Sequence, residues 1–175
     1  MSRGKNFFVG YSPERENPGS DEYKFSQIPK IVSGYSKSCL EITDCLYKLV
    51  VNKTVKTNQI EIAETSKIYE NVYRSVNIAL VNELKFILQK LNIDIDEVID
   101  LAKTKPFGFS EFRPGPGVGG HCIPIDPLYL SWIAEKNGYK SDFIRLASKV
   151  NLDTTNTIYQ SIKKIISKKK KLPIL

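Results

Sequence analysis

The longest periodic pattern in the chain runs from Gln59 to about Leu91 and contains no proline or glycine. Apolar residues recur every three or four positions along it, and polar residues form a second row at the same spacing, which predicts one long amphipathic helix. The apolar row is Ile68, Val72, Val76 and Ala79, and the polar row is Glu64, Lys67, Asn71 and Arg74. A helix of this length usually buries its apolar row against a partner, so we expect a homo-oligomer.

Shorter patterns surround this helix. Three brief β-favouring runs predict strands at residues 7–11, 30–33 and 53–56, with a turn at Asn17–Gly19. Helical patterns cover Lys37 to about Val51, Asp94 to Ala102, and about Asp142 into a lysine-rich tail. The first third therefore looks like the last strands of an α/β sheet, and the remainder is mainly helical.

The net charge of +7 suggests a nucleic-acid partner until the charges are located. Lys163, Lys164 and Lys168 to Lys171 supply six of them, and no aromatic residues interleave with that run to stack on bases. We therefore expect no nucleic-acid partner. Because no apolar run reaches membrane length, we also expect no membrane partner and a cytoplasmic location.

The segment from Arg113 to Leu128 carries most of the candidate chemistry. Its four glycines allow backbone N–H groups to approach an anion closely, and they are Gly115, Gly117, Gly119 and Gly120. Asp126 precedes Pro127 as an N-cap precedes a first-turn proline, which predicts a helix from here to about Asn137. Cys122 would then lie about one turn before a positive helix end, where a thiolate is favoured. The pattern indicates a reactive thiol beside a surface for a phosphorylated ligand.

Other interpretations of this segment fit less well. The spacing Gly115-x-Gly117-x-x-Gly120 matches the dinucleotide fingerprint, but no strand is predicted before it and prolines follow it. His121 is the only histidine, so neither a cysteine-protease pair nor a zinc site is expected, and we predict no metal. A lone cysteine is most often a buried apolar residue, and Cys39 and Cys45 are expected to be such packing residues in a reducing compartment.

Three motifs together resemble the UDP-glucose/GDP-mannose dehydrogenase family. They are FVGYSPERENPG at residues 8–19, AETSKIYEN at 63–71 leading to Asn82-Glu83, and GPGVGGHCIPIDP at 115–127. The phrase TKPFGF at residues 104–109 is most similar to the branch that oxidises UDP-N-acetylglucosamine. The resemblance covers about residues 7 to 160 and implies oxidation of the C6 alcohol of a UDP-N-acetylhexosamine to the acid, with NAD as the oxidant.

The resemblance also implies roles for individual residues. Cys122 would form a thiohemiacetal and then a thioester with the substrate, since a thiolate suits both adducts. Lys67 and Asn71 would stabilise the adduct oxygen, although the residues alone favour a solvated helix face for this pair. The other implied roles are a base or water-holding group at Asp126, an acid/base at Glu14, and nucleotide-sugar contacts at Arg113, Gly115, Gly117 and Gly119.

The same resemblance implies a domain organisation. Residues 1–58 would be the rear part of a Rossmann-type NAD-binding domain, residues 59–160 a helical central catalytic and dimerisation domain, and residues 161–175 a basic tail leading to a UDP-binding domain. The expected partners are a UDP-sugar and a second copy of the chain. We expect the main NAD site to lie outside this chain.

The chain departs from the family pattern at several points. The family's glycine-rich strand-turn-helix for NAD is not found, and Pro18 and Pro106 stand where glucose-specific members carry a glutamate and an arginine. We therefore expect the isolated chain to be inactive. The alternative interpretation is a catalytically inactive fragment that keeps only the dimerisation helix.

Overall fold

The computed structural model describes residues 6–16 and 23–168. It has three strands and five α-helices in these ranges, in the order β1 (Gly10–Tyr11), β2 (Lys30–Gly34), α1 (Lys37–Lys48), β3 (Thr54–Thr57), α2 (Ile60–Lys90), α3 (Ile95–Ala102), α4 (Cys122–Lys136) and α5 (Asp142–Lys168). A small α/β sheet followed by mainly helical structure confirms the predicted fold class. Two compact units, Met1–Glu70 and Asn71–Leu175, divide within α2.

The first unit is built on a three-stranded sheet in the order β1-β2-β3. β1 is antiparallel to β2, and β2 is parallel to β3, with Lys30 opposite Thr54. Helix α1 is the crossover between the two parallel strands, and Ser36 caps its first turn by accepting a hydrogen bond from the backbone N–H of Cys39. Val32 on β2 and Cys39 on α1 are completely buried where helix and sheet meet.

A buried carboxylate ties α1 to β3. Asp44 is 2% exposed, and its two oxygens accept hydrogen bonds from Lys48 Nζ at 2.7 Å and from Thr54 Oγ1 at 2.6 Å. The hydrogen bond from Lys48, followed by that from Thr54, lowers the pKa of Asp44 below its ordinary value of 3.8. The ionised carboxylate is therefore the form that the first unit stabilises.

The second unit has its apolar core between α2 and α3. Val81, Ile95 and Ile99 form the buried cluster, with Leu88 and Phe112 packed against it. Beside this core, α2, α3 and residues 108–112 border an open apolar groove of about 530 Å³. Ser141, the residue before α5, donates a buried hydrogen bond of 2.6 Å to Ser131 on α4.

Helix α2 buries a polar face and exposes an apolar one. Asn71, Ser75 and Asn82 are buried, and at 100° per residue they share one side of the helix. The opposite side carries exposed apolar residues, here called the α2 apolar row, which are Tyr73, Leu80, Leu84 and Ile87 on the helix and Leu91 directly after it. The predicted row of Ile68, Val72, Val76 and Ala79 does not coincide with this exposed row. Ala79 is buried and Ile68, Val72 and Val76 are half-buried, so the open apolar surface lies on a different stripe.

The predictions for the cysteines and for the first strand agree with the structure only in part. Cys45 is exposed, so the prediction that it packs in the interior was wrong, whereas Cys39 is buried. The first strand is shorter than the predicted run at residues 7–11. The turn at 17–19, Pro18 and the lysines at 169–171 lie outside the described residues. Within the described part of the chain, no helix is both long and apolar enough to cross a bilayer.

Candidate active site

The thiol candidate stands at the start of a helix. Helix α4 begins at Cys122, one turn earlier than the sequence predicts, with His121 at the N-cap. Pro124 lies in the first turn, where backbone N–H groups have no partner within the helix, so its missing donor costs little. Asp126 is consequently inside the helix, and the prediction that it serves as the N-cap was wrong. Cys122 is exposed and lies at the positive end of α4.

Asp126 is instead held by helix α2. Asn71 Nδ2 donates to Asp126 Oδ2 at 2.6 Å, joining residues 55 positions apart in sequence. Asn71 is 2% exposed, so its amide is committed to this contact rather than to solvent. Because Cys122 and Asp126 are four residues apart on α4, they share a face of that helix. The second unit thus groups an exposed thiol, a carboxylate and a buried amide.

Lys67 and Glu14 belong to the first unit. Lys67 is half-buried on α2, four residues before Asn71 and on the same side of that helix. Glu14 is exposed, and its Oε1 accepts the backbone N–H groups of Arg15 and Glu16, both at 2.8 Å, with Lys30 Nζ at 3.5 Å.

These contacts set the charge state of Glu14. Partial desolvation acts to raise the pKa of Glu14, but the backbone donors of Glu16 and Arg15, together with Lys30, outweigh it and lower the pKa below 4.5. The carboxylate is therefore ionised near neutral pH. In that form it is equipped to accept a proton rather than to donate one.

Arg113, which precedes the glycine-rich residues, donates hydrogen bonds to three carboxylates. Its Nη1 donates to Asp96 at 2.9 Å, its Nη2 to Asp100 at 2.5 Å, and its Nε to Glu111 at 2.8 Å. The hydrogen bonds to Asp100, Asp96 and Glu111, in that order, raise the pKa of Arg113. All three guanidinium nitrogens face protein acceptors, so Arg113 attaches the segment to α3. It would contact a nucleotide sugar only by exchanging one of these carboxylates for the ligand.

Residues 114–121, here called the glycine loop, are held by side chains that the sequence analysis did not assign. Gly115 N donates to Asn82 Oδ1 at 2.9 Å, and Thr155 Oγ1 donates to the Pro116 carbonyl at 2.7 Å. Asn82 belongs to the second of the three family motifs, but the sequence did not indicate a role for it. The available signal was its spacing, because a polar residue seven positions after Ser75 and eleven after Asn71 continues one face of a helix.

The glycine loop does not form a dinucleotide cradle. Residues 103–121 contain no strand, and the helix that follows carries Pro124 and Pro127 in its first two turns. Nicotinamide dinucleotides bind where a strand leads through the glycines into an uninterrupted helix. The residues of this loop therefore do not fit NAD.

Comparison with known proteins identifies the family to which this helical unit, with its exposed thiol and neighbouring carboxylate, is similar. The profile of the UDP-glucose/GDP-mannose dehydrogenase family, central domain, matches residues 61–153. The chain belongs to this family.

Particular relatives narrow the comparison. Protein CapL of Staphylococcus aureus is 44% identical over 166 residues, covering 94% of this chain and 39% of that protein. The UDP-N-acetyl-D-glucosamine 6-dehydrogenase of Salmonella typhi is 40% identical over 170 residues, covering 97% and 40%. This chain thus spans about two fifths of the length of these relatives.

Solved structures give the same picture. The UDP-N-acetyl-mannosamine dehydrogenase of Staphylococcus aureus is 33% identical with a TM-score of 0.77, covering 95% of this chain and 39% of that one. A UDP-D-ManNAc dehydrogenase of Pyrococcus horikoshii is 31% identical with a TM-score of 0.78, covering 91% and 38%. The similarity extends over both units of this chain.

Proposed function

We propose that this chain carries the thiol chemistry of an NAD-dependent UDP-N-acetylhexosamine 6-dehydrogenase, with UDP-N-acetylglucosamine as the substrate. The observation that carries the proposal is the hydrogen bond between Asn71 and Asp126, one helical turn from the exposed Cys122. Relatives named for both UDP-N-acetyl-D-glucosamine and UDP-N-acetyl-D-mannosamine match the chain, and the higher identity is to the glucosamine enzymes.

In the covalent step, the Cys122 thiolate adds to the C6 aldehyde of the sugar. A sulfur–carbon bond forms, and the carbonyl electron pair moves to oxygen, giving a thiohemiacetal alkoxide. Lys67 and Asn71, one turn apart on α2, are suited to stabilise that negative charge with a cation and an amide donor. Asn71 would then release Asp126, its partner in the present structure.

In the hydrolytic step, water attacks the thioester carbon and the sulfur–carbon bond breaks, returning Cys122 as a thiolate. Asp126 shares a face of α4 with the thiol and would hold this water or take its proton. Glu14 would serve as the acid/base of the same step, and its lowered pKa favours the base form. The acid product leaves as a carboxylate.

The sugar nucleotide would lie along the glycine loop. Gly115, Gly117 and Gly119 would contact it through the backbone, with Arg113 joining after exchange of a carboxylate partner. NAD would supply the two hydride acceptors that the overall oxidation requires. Because the glycine loop does not fit a dinucleotide, the steps assigned to this chain's residues are the covalent and hydrolytic ones.

Substrate protection of the thiol tests the proposal. We expect millimolar UDP-N-acetylglucosamine to slow iodoacetamide labelling of Cys122, while Cys45, which is also exposed, keeps its rate as an internal control. UDP-N-acetylmannosamine and UDP-glucose, run in parallel, rank the sugars. Labelling of Cys122 that no UDP-sugar slows, measured by peptide mass mapping, would contradict the proposal.

A second candidate is a catalytically inactive dimerisation fragment of the same family. The exposed α2 apolar row favours a second copy of this chain as a partner, because a row of large apolar side chains is stabilised by burial. In the first candidate Cys122 is a nucleophile, and in the second it has no catalytic role. Both candidates include a homodimer. A cytoplasmic location, without nucleic-acid or membrane partners, is part of both.

A further inference from the structure

The first half of the glycine loop is attached to two helices of the second unit. On the α2 side, the Gly115 N–H donates to Asn82 Oδ1 at 2.9 Å. On the α5 side, the Thr155 hydroxyl donates to the Pro116 carbonyl at 2.7 Å. The backbones of two consecutive residues, Gly115 and Pro116, are therefore hydrogen-bonded to side chains far away in sequence.

The next glycine is pressed against α5. A Cβ atom at Gly117 would lie 2.6 Å from Thr155 Oγ1 and 2.8 Å from the Asn151 carbonyl oxygen, and its φ is +106°. In contrast, a Cβ at Gly119 or Gly120 would meet nothing within 4 Å. The loop is held up to Gly117 and faces open space in the residues that lead to Cys122.

Helix α5 is itself fixed where it meets the loop. Asn151 is 1% exposed, and its Nδ2 donates to the Ser75 carbonyl at 3.0 Å and approaches the Ser75 hydroxyl at 3.3 Å. Thr155 follows Asn151 by one turn. The hydroxyl that holds Pro116 therefore stands on a part of α5 that is locked to α2.

Asn82 is a costly residue at its position. It is 0% exposed, and among the described residues its Nδ2 has no hydrogen-bond partner. A buried amide with an unused donor destabilises the fold relative to an apolar residue of similar size. Among the described residues, the hydrogen bond of its side chain is the one that Oδ1 accepts from the glycine loop.

We propose that Asn82 and Thr155 are positioning residues for Cys122. They hold the anchored half of the glycine loop, so that its open half and the start of α4 keep their backbone N–H groups directed at the space beside the thiol. This inference rests on the proposed function, in which Cys122 is the nucleophile. Both side chains would act through the backbone of the loop.

The experiment compares Thr155→Val, which removes the hydroxyl at constant shape, with Thr155→Ser, which keeps it. Thr155 is exposed, so both variants should fold, and Thr157→Val is the control because the Thr157 hydroxyl donates only to Asp153 within α5. Asn82→Leu tests the second contact, with circular dichroism to confirm that it folds. Each chain is labelled with neutral iodoacetamide and with anionic iodoacetate, using Cys45 as the internal reference.

In the unaltered chain we expect Cys122 to prefer iodoacetate more than Cys45 does, because directed N–H groups attract an anion. Loss of one loop contact in Thr155→Val or Asn82→Leu should lower this preference about threefold to tenfold. The same variants should speed hydrogen exchange at residues 117–120 by a similar factor. Thr155→Ser and Thr157→Val should match the unaltered chain.

Two contrary results have separate meanings. If Cys122 of the unaltered chain reacts no faster than Cys45 with either reagent, the proposed function is contradicted and the positioning role falls with it. If Cys122 is reactive but Thr155→Val and Asn82→Leu leave its reagent preference or the loop exchange unchanged, only the positioning role is overturned.

Discussion

Two carboxylates in this protein show how partner chemistry determines what a residue can do. Asp44 is held by a lysine and a threonine, so its negative charge is balanced and it remains ionised. Asp126 is held by the amide of Asn71, which donates a hydrogen bond without supplying charge. The first arrangement suits a structural link between α1 and β3. The second leaves a carboxylate whose partner in this contact is neutral.

The structural role of Asp44 predicts a pH dependence. Its folded-state pKa lies below the unfolded value near 3.8, so its stabilisation is present above that pH and is lost as the pH falls through the lower folded value. Asp44→Asn should lower the free energy of unfolding by about 1 to 2 kcal/mol near neutral pH, allowing for the exposed Lys48. It should also flatten the acid limb of the stability profile. The measurement is thermal unfolding by circular dichroism in buffers between about pH 2.5 and pH 7, spaced by about one pH unit.

Glu41→Gln is the matched control, because Glu41 is an exposed carboxylate on the same helix. It should leave the profile close to that of the unaltered chain. An Asp44→Asn profile with the same acid limb as the unaltered chain would show that this carboxylate does not carry the effect.

At the scale of the element, α2 reverses the usual arrangement of a surface helix. Asn71, Ser75 and Asn82 point inward because the neighbouring segments supply partners for them: Asp126, Asn151 and the Gly115 N–H. The large apolar side chains remain outside, Leu80 at 53% and Leu91 at 60% exposed. A helix with polar contacts inward and an apolar row outward is suited to join a second chain.

The apolar row predicts an effect on assembly. We expect the chain to dimerise at tens of micromolar, and Leu80→Glu combined with Leu84→Glu to give a monomer, because charges on this stripe could not be buried. Light scattering coupled to size-exclusion chromatography measures the change. Lys85→Glu combined with Gln89→Glu adds the same number of acidic residues on the other side of α2 and should leave the dimer intact. A monomeric unaltered chain would contradict the expectation outright.

At the scale of the whole molecule, the chain combines an exposed thiol, Cys122, with a loop that does not fit a dinucleotide. Its segment 103–121 lacks the strand that a dinucleotide cradle requires, while Cys122 stands exposed on α4. The covalent part of the proposed reaction needs the thiol, which this polypeptide exposes. The hydride-transfer part needs a bound dinucleotide, which this loop does not fit.

This difference predicts that the isolated chain forms no NADH from UDP-N-acetylglucosamine and NAD⁺. The absorbance of NADH measures turnover, and a full-length UDP-N-acetyl-D-glucosamine 6-dehydrogenase provides the positive control. Turnover above background that Cys122→Ala abolishes would show that the chain holds the cofactor by a route its loop does not reveal.

The sequence predicted those elements whose limits are set locally. Helix α2 begins and ends within a residue of the predicted bounds because the segment lacks breakers, and α3 starts within a residue of its predicted start, with Asp94 as the N-cap. The start of α4 was misplaced because Pro124 and Pro127 are each compatible with a first turn, and only contacts from elsewhere choose between them.

In the candidate site, too, the sequence identified residues that lie in motifs but not the contacts between distant segments. Cys122, Asn71 and Asp126 could be named from their motifs, but the hydrogen bond between the last two spans 55 positions and has no local signature. Asn82 and Thr155 were missed because their partners are backbone groups, which any sequence would supply. The buried face of α2 was misjudged for the same reason, since polar residues turn inward only where distant segments satisfy them.

The unequal surroundings of the loop glycines determine how this segment can diversify. An alanine at residue 119 has room, whereas at residue 120 it has room but must adopt a φ of +82°. At residue 117 it must both adopt a φ of +106° and displace α5. In a library that randomises the loop and selects for a reactive thiol, position 119 should vary freely, position 120 should admit asparagine, and position 117 should stay glycine.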